Sequence, residues 1–261
     1  MKNIVSQRNL SVHKEHEILR KLEAAGLGDI EAQSVIQSKG NKLAEKVVEF
    51  IRRGGYEATV SQKTTRAIMG ENFLGIEKAI QHLGANPTER ELGLLTEVPF
   101  TEGVLEECKD THILVAAFPM SILEIRDKVE KKLFYSYEDA WYNKQSFAKD
   151  KGEASWHLIR KNIVPNSTSK TWNEQQALLA ENEETPQARI MVYAIIGHYL
   201  ATGERLFKNI YARCSDLDSG GYRVDVGRFD SAGFTFTCWW DDRRYDSIGL
   251  SSVWKSENLN S

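Results

Sequence analysis

Between Asn209 and Trp254 the chain has no Lys, no Glu, no Gln and no Met. These four types supply 57 of the other 215 residues, so a stretch of 46 would ordinarily hold about twelve. Charge has not been lost with them. The stretch keeps seven Asp and five Arg, and it carries nine aromatic residues. Other absences bound the function. No apolar run approaches bilayer-spanning length, so membrane insertion is not expected. Met1 to Leu22 is polar and charged, without the apolar segment of a signal peptide, and cytoplasmic residence is the expectation. Only three Cys occur, at 108, 214 and 238, with no paired spacing, which excludes a disulfide framework and a zinc pattern. A net charge of −3 provides no global basic field for nucleic acid. HExxH, GxSxG, GxGxxG and Walker motifs are absent, so no cofactor is implied.

What is present reads as α+β. Helical spacing covers Val12–Ala25, closed by Gly26, and Glu31–Arg53, closed by Gly54-Gly55. Further helices are expected over Asn72–Leu83, after Pro87 with Thr88 and Glu91 as a capping box, and over Thr101–Lys109. The pattern then changes. His112–Phe118 is an apolar run of strand length, Ser121–Leu133 has helical spacing, Tyr137–Ala148 is rich in rings, and Ser155–Lys161 alternates. After a polar loop over Asn162–Lys170, helices are predicted at Trp172–Ala180 and Gln187–Leu200. The second should bury Ile190, Tyr193, Ile196 and Leu200 against a sheet. The tail reads as an antiparallel meander with strands Leu206–Arg213, Tyr222–Phe229, Phe234–Trp240 and Ile248–Trp254. This suggests a helical region over 1–109 and a second domain over 110–256.

The tail's composition has two explanations. Strands disfavour the four missing helix formers. Seven Asp are not explained that way, because Asp is a poor strand residue. The second explanation is a binding surface, where rings and guanidinium groups give contact energy at low entropic cost. The catalytic and metal candidates are thinner. His13 and His16 share a helix face with one adjacent carboxylate, Glu17, and His112 and His198 sit in apolar segments. Asp216 and Asp218 open a turn that lacks the remaining ligands of a calcium loop. Trp240-Asp241-Asp242 is similar to one element of calcium-dependent lectins, without its partner element. An alternative function, a metal-dependent enzyme or a calcium-dependent lectin-type binder, would use His157, His198 or the Asp216/Asp218 turn. Rings interleaved with Arg also suit single-stranded nucleic acid, but Asp outnumbers Arg and the sign is wrong for phosphate.

Arg223-Val224, Gly227, Trp239-Trp240, Arg243-Arg244 and Ile248-Gly249-Leu250 follow one another in an order that resembles the end of a C-type-lectin-like, formylglycine-generating-enzyme-like domain. The whole resembles variable proteins of diversity-generating retroelements. In that family template adenines are randomised, and a template Asn codon becomes any codon reached by changing its first two bases. Such codons never encode Lys, Glu, Gln, Met or Trp. Between Arg228 and Ser247 every residue except Trp239 and Trp240 belongs to the reachable set. The Trp codon holds no adenine, which makes those two framework. Leu250 and Ser251 depart from the usual Phe and Arg, and catalytic cysteines have no counterpart.

The resemblance implies a display protein whose variable tract, 228–247, binds a protein or other macromolecular ligand. Arg228, Asp230, Phe234, Phe236, Asp241, Asp242, Arg243, Arg244, Tyr245 and Asp246 would form the contact surface. In strand Phe234–Trp240 one face must cover the core. The display reading expects Phe234 and Phe236 to be exposed and Trp239 to anchor the fold.

Overall fold

The structure, a computed structural model, describes residues 10–52, 55–136 and 138–255. It divides into two compact units, one ending at Arg52 and the other starting at Arg53, rather than at the expected 109/110. The first unit contains α1 (Val12–Ala24), α2 (Asp29–Ile36) and α3 (Lys42–Arg52). The sequence suggested one continuous helix from Glu31. The chain breaks it at Gly40 and Asn41, which take positive φ, and the Ser38 hydroxyl caps α3 by accepting the Leu43 N–H at 2.8 Å. Arg53 and Gly54, where that helix was expected to close, lie outside the described residues.

The second unit opens with α4 (Val60–Met69), which the hydrophobic pattern did not announce. Its buried face includes Gln62 and Thr65, and the Gln62 side-chain amide donates to the Leu95 carbonyl at 2.7 Å. Next come β1 (Phe73–Leu74), α5 (Ile76–Leu83), α6 (Glu89–Leu94), α7 (Glu102–Cys108) and β2 (His112–Ala117). The predicted helix from Asn72 therefore starts late, because Phe73 and Leu74 pair in parallel with Leu114 and Val115. The Thr88/Glu91 capping box of α6 forms as expected. Then follow α8 (Ile122–Lys128), α9 (Ser146–Lys149), β3 (Ser155–Arg160), α10 (Trp172–Gln176), β4 (Glu183–Glu184) and α11 (Ala188–Thr202). The tail supplies β5 (Tyr211–Leu217), β6 (Arg223–Asp230), β7 (Gly233–Trp239), β8 (Ile248–Leu250) and β9 (Val253–Trp254).

These strands build two sheets, in the orders β1-β2-β3-β9-β4 and β7-β6-β5-β8. Helix α11 packs against β1, β2 and β3 of the first and β5 and β6 of the second. Ala188 to His198 is accordingly buried all round, including Ile190, Tyr193 and Ile196, whereas Leu200 is half-buried. Gly197 permits this closeness, since a Cβ there would stand 2.6 Å from a Leu74 methyl. The tail is not a simple antiparallel meander. β5, β6 and β7 are antiparallel, but β8 returns to pair in parallel with β5, and β9 crosses to the other sheet. The molecule is thus α+β. Among the described residues no helix is long and apolar enough to cross a membrane.

Candidate functional site

Side chains of β7 alternate between two faces, and pairing with β6 extends each face across the second sheet. Phe236 stands opposite Val226 and Cys238 opposite Val224. This set, with Phe234 and Ala212, turns inward towards α11. Phe234 is 1% exposed and Phe236 7%. The expected exposure of these two rings is therefore overturned, as is the expected anchoring by Trp239, which is 39% exposed. Phe234 meets Phe229 edge-on, and Phe236 lies 4.1 Å from the Tyr142 ring, so both fill core space. Gly233, at φ 113, lets the backbone of 134–135 run against the start of β7, where Tyr135 N–H donates to the Phe234 carbonyl.

The other face carries Thr235, Thr237 and Trp239 opposite Gly227, Asp225 and Arg223, then Tyr211 and Arg213 on β5. Its centre is sealed. Arg213 and Asp225 are both fully buried and joined at 3.2 Å, and Arg213 also donates to the Gln175 side-chain oxygen at 3.1 Å. Gln175 in turn donates to the Ser167 carbonyl, and the Ser167 hydroxyl accepts the Leu250 N–H. Burial pushes the Asp225 carboxyl up to about 7, with Arg213 and Arg223 drawing it back down.

The loop 240–247 is fastened over this centre. Arg223 grips Asp241 through two bonds, at 3.1 and 2.8 Å, and lies 3.9 Å from the centroid of the Trp172 ring. The Trp172 N–H donates to the Asp241 carbonyl and the Ser169 N–H to the Tyr245 carbonyl, each at 2.8 Å. Arg244 pairs with Glu174 at 2.7 Å, and the Thr171 N–H together with Arg244 holds that carboxyl down at about 2.

The proposed contact residues therefore divide. Asp241 and Arg244 fasten the loop, and Tyr245 lies tilted against Trp239, ring centroids 4.7 Å apart, while remaining half-exposed. Asp242, Arg243 and Asp246 are exposed. Arg228 is thrown outward at the bulge between Gly227 and Asp230, with φ 42, and its guanidinium lies 5.8 Å from the Tyr211 ring. Asp230 accepts the Ala232 N–H and shapes the β6–β7 turn. Arg228, Asp230, Thr235, Tyr135 and Tyr211 line a cavity of about 270 Å³. A neighbouring cavity of about 260 Å³ shares Tyr135 and Thr235 and is walled by Trp141, Tyr142 and Phe236. Sequence reasoning missed Tyr135 and Tyr211. It singled out the ring-rich segment but could not bring it to β7.

The alternative candidates are engaged elsewhere. His157 contacts the Ser155 hydroxyl at 2.8 Å, and burial pushes it down to about 4. His198 meets Glu204 at 2.8 Å, and burial lowers it too. Asp216 accepts the Ala188 N–H at the start of α11, and Asp218 accepts those of Gly220 and Tyr222. Among the described residues no group of three or more His, Cys, Asp or Glu is placed to hold a metal ion. Comparisons with family models, with curated proteins and with solved structures each returned no match.

Proposed function

We propose that this chain is a ligand-binding display protein with a C-type-lectin-like body, whose diversified tract 228–247 recognises a protein or other macromolecule. One observation carries the reading: the tract separates into an inward set and an outward set. Phe234 and Phe236 belong to the core, while Arg228, Thr235, Thr237, Trp239, Asp242, Arg243 and Asp246 reach solvent wholly or in part. The outward set mixes rings, guanidinium groups, carboxylates and hydroxyls, the chemistry of adaptable protein-binding surfaces. Two Arg against two Asp leave this set without the positive excess that phosphate backbones call for. The fastening of loop 240–247 to residues 169–174 supports the same reading, since a held loop loses less entropy on binding.

DNA sequencing around the gene tests the proposal. The expected result is a reverse-transcriptase gene and a near-identical repeat of the tract that differs from it at adenines. Flanks lacking both would overturn diversification as the origin of this surface.

A further inference from the structure

Helices α1 to α3 contain no buried residue over 10–51, and eleven of their large apolar side chains are exposed. On α3, Leu43, Val47, Val48, Phe50 and Ile51 fall on one arc of the helix, while Lys42, Glu45, Lys46 and Glu49 occupy the opposite arc. Helices of 13, 8 and 11 residues are marginal in water without an apolar face to bury. Charge indicates what covers that face. Residues 10–52 hold seven Lys and Arg and seven Asp and Glu, a net charge of zero. A membrane-surface helix would instead be rich in Lys and Arg on its polar side. A mixed-sign polar side is self-complementary: a second copy offers the same apolar arc flanked by charges of both signs, without net repulsion.

We propose that the chain self-associates through the apolar arc of α3, a second copy of the chain being the occupant. The assembly would then carry two or more copies of the tail surface, and linked copies raise avidity without any new contact. This inference does not depend on the reading of the tail.

Sedimentation equilibrium of the full chain across micromolar concentrations tests it. The intact chain should run as two or more copies, and Val47→Glu/Ile51→Glu should weaken association about 100-fold, since each tenfold step needs only about 1.4 kcal/mol. A single-chain mass for the parent, or an undiminished assembly for the double variant, would overturn the proposal. If the double variant aggregates, two cysteine substitutions decide, each made together with Cys238→Ser to remove the half-exposed native thiol. Val47→Cys, on the arc, should cross-link two chains under a short bismaleimide, and Glu49→Cys, on the opposite side, should not. Equal cross-linking by both would equally overturn it.

Discussion

The two faces of the β7-β6-β5-β8 sheet are built on opposite principles. Inward, Ala212, Cys214, Val224 and Val226 lie buried on the strands that meet α11, and Phe234 and Phe236 pack on Phe134, Tyr142 and Phe229, an ordinary apolar core. Outward, the sheet is polar, yet its centre is as dry as the core, because Arg213 and Asp225 are sealed beneath α10 and the 240–247 loop. An antiparallel sheet usually solvates its second face. Here only the β7 edge of that face is open. Shape alone fills the inward side. On the outward side, directional bonds determine where the loop sits.

The largest expected effects test whether the two faces are equally structural. Phe234→Ala should cost about 3–5 kcal/mol, read as a lowered urea midpoint, because transfer and cavity terms add. At pH 8, where its carboxyl is ionised, Asp225→Ala should cost a similar amount, about 3–5 kcal/mol, by leaving the Arg213 guanidinium buried and uncompensated. A double Arg213→Met/Asp225→Leu replacement should recover most of that loss, since two well-packed apolar groups remove the desolvation problem. A cost below about 1 kcal/mol for Asp225→Ala would mean that water reaches the pair and that only the inward face is core.

Much of this contrast was unreadable from the chain, for physical reasons. Hydrophobic periodicity located α5, α7, α8, β2, β3 and α11 because their inward positions are apolar, a capping box located α6, and the apolar spacing of α1 marks a face that stays exposed. It failed at α4, whose buried face is completed by Gln62 and Thr65, and at the outward sheet centre, whose buried residues are charged. Period-two alternation correctly split β7 into two sets but could not say which set faced inward, as rings suit either a core or a contact surface. Packing of Phe234 and Phe236 on Phe134, Tyr142 and Phe229 decided it. Long-range pairing was equally silent: nothing in Ile248–Trp254 announces that its halves join different sheets. Within the site, the exposed Asp242, Arg243 and Asp246 were legible from composition. The fastening roles of Asp241 and Arg244 depend on Arg223 and Glu174, partners that composition cannot supply.

A pH series sharpens the comparison, because the fully buried acid, Asp225, lies on the outward face. Burial raises Asp225 from an ordinary value near 3.8 to about 7. Its contribution to stability is therefore full below about 4 and is lost as pH rises through about 7. His157, pushed down by burial, acts in the opposite sense across part of this window, and stability from it is lost as pH falls. Subtracting one protein from another isolates the acid. Relative to the parent, Asp225→Asn should gain melting temperature between pH 5 and pH 8, whereas Val226→Ala on the inward face should show a constant offset. A relative stability for Asp225→Asn that stays flat from pH 5 to pH 8 would show that Arg213 keeps the carboxyl ionised throughout.

The smallest expected effect is the one on which the proposed display function depends. Thr235, Thr237, Arg243 and Asp246 are exposed or half-exposed, and no side-chain hydrogen bond or close ring contact of theirs takes part in fastening the loop. Arg243 approaches only the exposed Asp242, at 3.9 Å, a surface pair of little worth. Substitutions at these four positions should each shift stability by no more than about 0.5 kcal/mol, even when charge is reversed. Asp241 provides the internal contrast. It lies in the same loop but is gripped by Arg223, so Asp241→Ala should cost clearly more, about 1–3 kcal/mol, by stranding a largely covered guanidinium. A combinatorial library at the four open positions, sorted by protease resistance, measures both. Near-uniform survival there, with strong selection for Asp at 241, is the pattern a surface free to vary on a fixed frame must give. Selection at Thr235 or Thr237 as strong as at Asp241 would place the strand's outer positions in the scaffold and confine variation to the loop.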